Sequence, residues 1–185
     1  MDAATQGEHS RSKLSKGRES VCEDRGLRIK NSFPEPFVDY GDVLFLCTGN
    51  SCRSQMAEGW LRHLAGDRFH AFSAGLQPSV VHPLAIEAMR EVDIDISGQQ
   101  SKDVAGFLGH HFAYIITVCD RAQQNCPIFP GPSIRKHWPI EDPATAEGTQ
   151  DERMVGFRKV RDDIEARVRR FLAISPINPR IMSAE

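Results

Sequence analysis

Cys47, Thr48, Gly49, Asn50, Ser51, Cys52, Arg53 and Ser54 form one unbroken stretch directly after the apolar run Asp42-Val43-Leu44-Phe45-Leu46. A cysteine, five residues and then an arginine is a spacing that chance supplies often. Here a strand-like run precedes it, a helical pattern follows it, and a Gly-Asn pair sits inside it. A loop wrapped at a helix N-terminus aims successive backbone N–H groups at one point, which makes an anion nest. Gly49 is expected to supply the backbone freedom that so tight a curl requires. Arg53 adds a planar fork able to grip two oxygens of a tetrahedral oxyanion. The same positive field is expected to lower the thiol pKa of Cys47 and make it an attacking thiolate. The stretch therefore reads as an oxyanion-binding loop, Thr48 to Ser54, with Cys47 as nucleophile. The plainer alternative is a buried cysteine at a strand end beside a surface arginine.

Four more cysteines, Cys22, Cys52, Cys119 and Cys126, complete the set. No Cys-x-x-Cys or His-x-x-x-His pair suggests a zinc site. Cys119 and Cys126 stand in Cys-Asp-Arg-Ala-Gln-Gln-Asn-Cys-Pro, directly after an apolar, β-branched run. They are either reactive thiols or two inert ones, at a strand end and in a surface loop. Cys52 is expected to pack beneath the loop, with a protective disulfide to Cys47 as the alternative.

The elements that must position these residues follow from periodicity. Residues 1–40 are rich in Ser, Lys, Arg, Glu and Gly, and end near Phe33-Pro34-Glu35-Pro36-Phe37. Such a stretch cannot bury enough apolar area to offset its ordering entropy, and reads as a flexible extension with Cys22 a spectator. Residues 41–175 form the domain and 176–185 a tail. Strands are expected at Asp42 to Leu46, Arg68 to Ser73, Phe112 to Val118 and Ile134 to Trp138. Helices are expected at Ser54 to Ala65, from Pro83, around Lys102 to Leu108, and at Asp151 to Ala173. Ser54 and Gly66 are expected to mark the ends of the first helix. Asp120 to Pro132 reads as a long loop whose first part, up to Asn125, is polar and weakly stable. The alternation indicates an α/β fold, a parallel sheet with helices on both faces. Ligands of such sheets bind beyond the carboxyl ends of strands, where Cys47 and Cys119 both fall.

Composition narrows the partners. The 185 residues suit one domain, and a formal net charge of -2 argues against bulk attraction to nucleic acid or an anionic membrane. No apolar run approaches a membrane span, and the N-terminus lacks the apolar core of a signal peptide. A cytoplasmic protein is the expectation, and in that reducing compartment structural disulfides are a poor explanation for the cysteines.

Cys47 to Ser54 resembles the catalytic loop of low-molecular-weight protein tyrosine phosphatases and of the arsenate reductases that share their fold. The similarity runs from Val43 to Leu172 and includes Ser73-Ala74-Gly75 and Asp142-Pro143. It implies a Rossmann-like, four-stranded parallel sheet flanked by helices, with Asp142 as general acid to a departing oxygen. The plain alternative for Asp142 is a capping or turn aspartate. A phosphatase has no chemical use for Cys119 and Cys126, whereas reduction of arsenate needs two electrons that thiols deliver by forming a disulfide. The Cys-x6-Cys-Pro segment, His137-Trp138 and Asp142-Pro143-Ala144 look like the thioredoxin-coupled arsenate reductases. That resemblance implies a relay from Cys47 to Cys119 to Cys126, with arsenate as substrate, phosphate or sulfate as competing anions, thioredoxin as reductant and a monomeric enzyme. It implies no required cofactor, and a possible potassium ion held by Asn50, Glu58, Ser73 and Asp103. The rivals are a true tyrosine phosphatase, which usually has an aromatic residue where Ala144 stands, and a non-catalytic thiol sensor or oxyanion-binding module.

Overall fold

A computed structural model describes residues 41–175. The expected N-terminal extension with Cys22, and the expected tail, lie outside the described residues. The chain runs β1 (Asp42–Cys47), α1 (Arg53–Ala65), β2 (His70–Gly75), α2 (Pro83–Arg90), β3 (Tyr114–Thr117), α3 (Asp120–Gln124), β4 (Ile134–His137) and α4 (Gln150–Ile174). Short 3-10 turns occupy Val104–Phe107 and Pro143–Thr145. The four strands pair in parallel in the order β2-β1-β3-β4, flanked by helices.

The order explains the position of the site. The chain leaves β1 for β2 on one side, then crosses back to β3 on the other. The crevice at that reversal opens at the carboxyl end of β1, where Cys47 lies. β1 is covered on both faces, with Val43 to Cys47 all buried, and this is why it reads as an unbroken apolar run. The α4 helix sends Met154, Phe157, Val160, Ile164, Val168 and Phe171 inward at helical spacing, and Thr149 and Glu152 close its N-terminus as a capping box. The α1 helix is different: besides Met56, Ala57, Trp60 and Leu61 it buries the polar Arg53, Ser54, Gln55 and Glu58 in its first turns. No helix among the described residues is long and apolar enough to cross a membrane.

Several elements depart from the sequence expectation. β2 begins and ends two residues later, so Ala74 and Gly75 lie inside it and Gly75 pairs with Cys47. The expected helix near Lys102 shrinks to a 3-10 turn at Val104–Phe107, capped by the Asp103 carboxylate on the Ala105 N–H. The expected loop after β3 opens with the five-residue α3. Ser54 caps nothing, because the N-cap position of α1 is Cys52, without a side-chain bond. Gly66 does stand at the C-cap of α1, in right-handed helical geometry.

Gly75 brings the end of β2 against the loop. A Cβ there would lie 2.8 Å from the Thr48 carbonyl oxygen and 2.9 Å from the Asn50 nitrogen, both backbone atoms. A Cβ at Gly49 would come no closer than 3.4 Å, to Ser51 Oγ. Gly75→Ala is therefore expected to cost about 1–3 kcal/mol of stability as an overpacking change, and to weaken phosphate binding. Gly49→Ala is expected to be the milder of the two. Urea denaturation and phosphate titration of both variants check this ordering, and the reverse order would contradict it.

Candidate active site

The loop between β1 and α1 is held by its carbonyls. The Cys47 oxygen accepts from Leu76 N–H at 3.2 Å, Thr48 from Gln77 at 2.9 Å, Gly49 from Ser79 at 3.0 Å and Ser51 from His82 at 2.9 Å. The Ser101 hydroxyl donates to the Gly49 and Asn50 oxygens at 3.0 and 2.9 Å, and Gln55 Nε2 also donates to Asn50 O at 3.0 Å. A trans peptide points its C=O and N–H in opposite directions. Fixing the carbonyls of residues 47–51 outward therefore turns the following amides inward, around the Cys47 sulfur. The Asn50 N–H does point there, donating to Cys47 Sγ at 3.0 Å.

The left-handed residue of the curl is Asn50, at φ 47°, and not Gly49 as expected. Such a conformation is costly for a residue with a Cβ, and asparagine is among the few that tolerate it. Here the side chain is anchored on both ends. Its Nδ2 donates to Ser54 Oγ at 2.9 Å and Ser73 Oγ at 2.8 Å, and its Oδ1 accepts from Lys102 N–H at 2.7 Å and Gln55 Nε2 at 3.0 Å.

Cys47 is 2% exposed, and burial pushes its thiol pKa up. Ser54 Oγ at 2.9 Å, the Asn50 N–H and the Arg53 charge all pull the other way, and burial outweighs them. The expected thiolate-stabilising groups are thus in place, while the resting thiol is not depressed. Arg53 Nη1 donates to the Ile140 carbonyl at 2.9 Å and Nη2 pairs with Asp142 Oδ2 at 2.5 Å. Asp142 is brought to the loop, and it also caps the Pro143–Thr145 turn by accepting from Ala144 N–H at 3.1 Å. The capping reading of that aspartate holds, and its carboxylate also stands beside the loop, paired with Arg53.

The other thiols differ sharply. Cys52 is buried and pushed up to about 12 by desolvation, which suits packing beneath the loop. Cys119 stands two residues past the end of β3, the strand beside β1, and Thr48 Oγ1 lies 3.4 Å from its sulfur. Cys126 lies past the far end of α3, half-buried, beside a cleft of about 240 Å³ lined by Thr117, Gln123, Arg135 and His137 among others. Burial raises its thiol pKa, against the pull of Arg135, whose Nη1 donates to Cys126 Sγ at 3.4 Å. The α3 helix buries only Ala122.

Of the expected cation ligands, Asn50, Glu58 and Ser73 come together: Ser73 Oγ bridges Asn50 Nδ2 and the Glu58 carboxylate. Asp103 does not join them; it is exposed and occupied with the Ala105 N–H. Lys102 takes its place, with Nζ 3.3 Å from Glu58 Oε2. Gln55, Ser101, Lys102 and the 76–82 segment were not singled out from sequence. Their bonds to the loop span up to 52 positions and follow no local pattern.

Known proteins resemble the chain over the domain that carries this site. The family model of low molecular weight phosphotyrosine protein phosphatase matches residues 42–178. An arsenate reductase of Bacillus licheniformis is 46% identical over 129 residues, covering 70% of this chain and 93% of that protein. A solved arsenate reductase in the phosphate binding state is 37% identical, with a TM-score of 0.57 over 71% of this chain and 96% of its own. The thioredoxin-dependent arsenate reductase of Corynebacterium glutamicum is 28% identical, with a TM-score of 0.54 over 72% of this chain and 60% of its own.

The hydrogen bond from Ser54 favours the charged form of Cys47, so its loss raises the thiol pKa further. Ser54→Ala is expected to move the pH midpoint of Cys47 alkylation upward by about one to two units, the scale of one hydrogen bond to a charged group. An unchanged or more acidic midpoint, read by mass spectrometry of the alkylated peptide, would contradict this.

Proposed function

The chain belongs to the low molecular weight phosphotyrosine protein phosphatase family, and within it we propose that this protein is an arsenate reductase working through a relay of three thiols. The observation that carries the reading is the placement of Cys47 and Cys119 at the carboxyl ends of adjacent parallel strands, with Cys126 across one short helix. The relatives named arsenate reductase, at up to 46% identity, support the substrate.

Arsenate docks on the amides of residues 48–52, with Arg53 gripping its oxygens. Its dianion carries basic oxygens, and one of them takes the Cys47 proton on binding. This makes a thiolate from a thiol that burial otherwise keeps neutral. The sulfur attacks arsenic, and an oxygen leaves as water with a proton from Asp142, giving a Cys47–arsenic(V) bond. The Cys119 thiolate then attacks the Cys47 sulfur. The S–As bond breaks, its electron pair stays on arsenic, and arsenite departs from a Cys47–Cys119 disulfide. Cys126 attacks Cys119 in turn, so that Cys47 leaves as thiolate and a Cys119–Cys126 disulfide remains.

The last step requires motion. Five helical residues rise about 7.5 Å, and a disulfide joins Cα atoms about 4.4–6.8 Å apart. The α3 helix must therefore unwind, and its single buried side chain makes that opening inexpensive. A dithiol such as thioredoxin reduces the new disulfide, as the name of the Corynebacterium glutamicum relative suggests by analogy. A chemistry that consumes free thiols suits the reducing cytoplasm. A simple phosphatase would leave Cys119 and Cys126 without a role, and a sensor would need no acid beside the loop.

Arsenate-dependent NADPH oxidation with thioredoxin and thioredoxin reductase tests this directly. Wild type is expected to turn over repeatedly, and Cys119→Ser and Cys126→Ser to fall to background. Full turnover by Cys126→Ser would remove it from the relay. Hydrolysis of an aryl phosphate with no arsenate turnover would replace the reductase by a phosphatase. Arg135→Met is expected to raise the Cys126 pKa and slow the second exchange about 3- to 10-fold, because the more basic thiolate is scarcer but more nucleophilic. Arg135→Lys is expected to recover much of the rate, and an unaltered rate in Arg135→Met would show that the guanidinium is idle.

A further inference from the structure

The family resemblance implies a monovalent cation beside the catalytic loop, and the residues present do not fit one. The available oxygens are already taken by N–H and O–H donors. Asn50 Oδ1 accepts from Lys102 N–H and Gln55 Nε2. Gln100 O accepts from Gln55 Nε2 at 2.9 Å and Lys102 Nζ at 3.0 Å. Ser73 Oγ accepts from Asn50 and donates to Glu58 at 2.5 Å. The Glu58 carboxylate, its side chain 5% exposed, is paired with both Arg62 and Lys102. A third positive charge entering there meets two cations around one anion, and would have to displace one of them. Asp103, which would have offset it, faces away.

We propose that the Lys102 ammonium is the built-in cation of this site, holding the catalytic loop in its anion-binding shape so that no potassium ion is needed. Lys102 reaches the loop by two routes. Its backbone N–H fixes Asn50 Oδ1, and its carbonyl accepts from Gly75 N–H at 2.8 Å. Its ammonium completes a chain through Glu58 and Ser73 to Asn50 Nδ2, and Asn50 in turn donates to the Cys47 sulfur and Ser54. The lysine side chain is 31% exposed, so most of its stem is packed and its charge is only partly screened. A buried carboxylate stripped of such a partner takes a proton or draws in another cation. Without the Lys102 ammonium, Glu58 would lose one of its two counter-charges and the Glu58–Ser73 link to Asn50 Nδ2 would loosen, while the Lys102 backbone N–H still holds Asn50 Oδ1. Lys102 is thus a positioning residue, acting on Cys47 through Asn50 and touching no substrate.

The test uses the full chain, with thermal unfolding and phosphate affinity as readouts, in potassium and in tetramethylammonium chloride at equal ionic strength. Wild type is expected to show the same Tm and the same phosphate Kd in both salts. Lys102→Met is expected, in tetramethylammonium, to lose several degrees of Tm and to bind phosphate about tenfold more weakly, the scale of removing one partner of a half-buried ion pair. Potassium is expected to restore part of both losses, because the vacated position then fits a bare cation, and Lys102→Arg is expected to retain wild-type behaviour. A saturable rise of wild-type Tm with potassium overturns the proposal, even where the methionine variant fails to fold. So does a methionine variant with unchanged Tm and Kd, or one whose losses neither potassium nor arginine repairs, since the lysine then acts only by packing. The thermal readout does not depend on the reaction catalysed, so its outcome is separate from that of the arsenate assay.

Discussion

Five consecutive carbonyls, those of Cys47 to Ser51, are bound from outside by the backbone of residues 76–82 and by the side chains of Ser101 and Gln55. That single constraint produces the anion site. Peptide planarity converts outward carbonyls into inward amides, and the amides are the part that a tetrahedral oxyanion sees. The loop is therefore preorganised by what surrounds it, and its own sequence supplies only the residue types. Gly75 lets β2 approach closely enough for this clamp to close, and Asn50 takes the strained conformation that the curl demands. Preorganised donors of this kind cost no reorganisation when charge develops at the reacting centre.

The thiols are graded by environment. Burial favours the neutral form of Cys47, Cys52 and Cys126 alike. What separates them is the company they keep. Cys47 has a hydroxyl, an amide and a guanidinium to offset desolvation; Cys126 has Arg135; Cys52 has a contact with Ser51 at 3.6 Å and the Arg53 charge, opposed by Asp142 and Cys47. The two cysteines assigned to the ends of the proposed relay each keep a guanidinium within reach, and Cys52 is a neutral thiol packed beneath the loop. The α3 helix between Cys119 and Cys126 buries only Ala122, so opening it for the proposed relay breaks little packing.

Much of this was legible in the sequence because it is local. The buried run before Cys47 and the helix after it report the fold directly, and they put Cys47 at a strand end, at the start of a loop leading into α1. The α4 stripe of Val160, Ile164, Val168 and Phe171 falls where periodicity puts it. The errors came where contact overrides propensity. Gly49 looked like the flexible residue, yet the tertiary bonds to Asn50 select that residue for the left-handed turn. Ser54 looked like a helix cap, yet its hydroxyl turns to Cys47 Sγ. Asp103 looked like a ligand, yet its own turn claims its carboxylate and Lys102 fills the position. The positive field around Cys47 predicts a depressed pKa, and a sequence does not display the desolvation that outweighs it.

The proposed function depends most on arsenate being reduced by electrons taken from Cys119 and Cys126. A single anaerobic turnover of reduced protein with one equivalent of arsenate, quenched by alkylation and mapped by mass spectrometry, reads this out in one experiment. The account predicts about one arsenite released per chain, a Cys119–Cys126 disulfide, and Cys47 recovered as an alkylated free thiol. Arsenite release with Cys119 and Cys126 both still alkylated, or no arsenite at all, would contradict it.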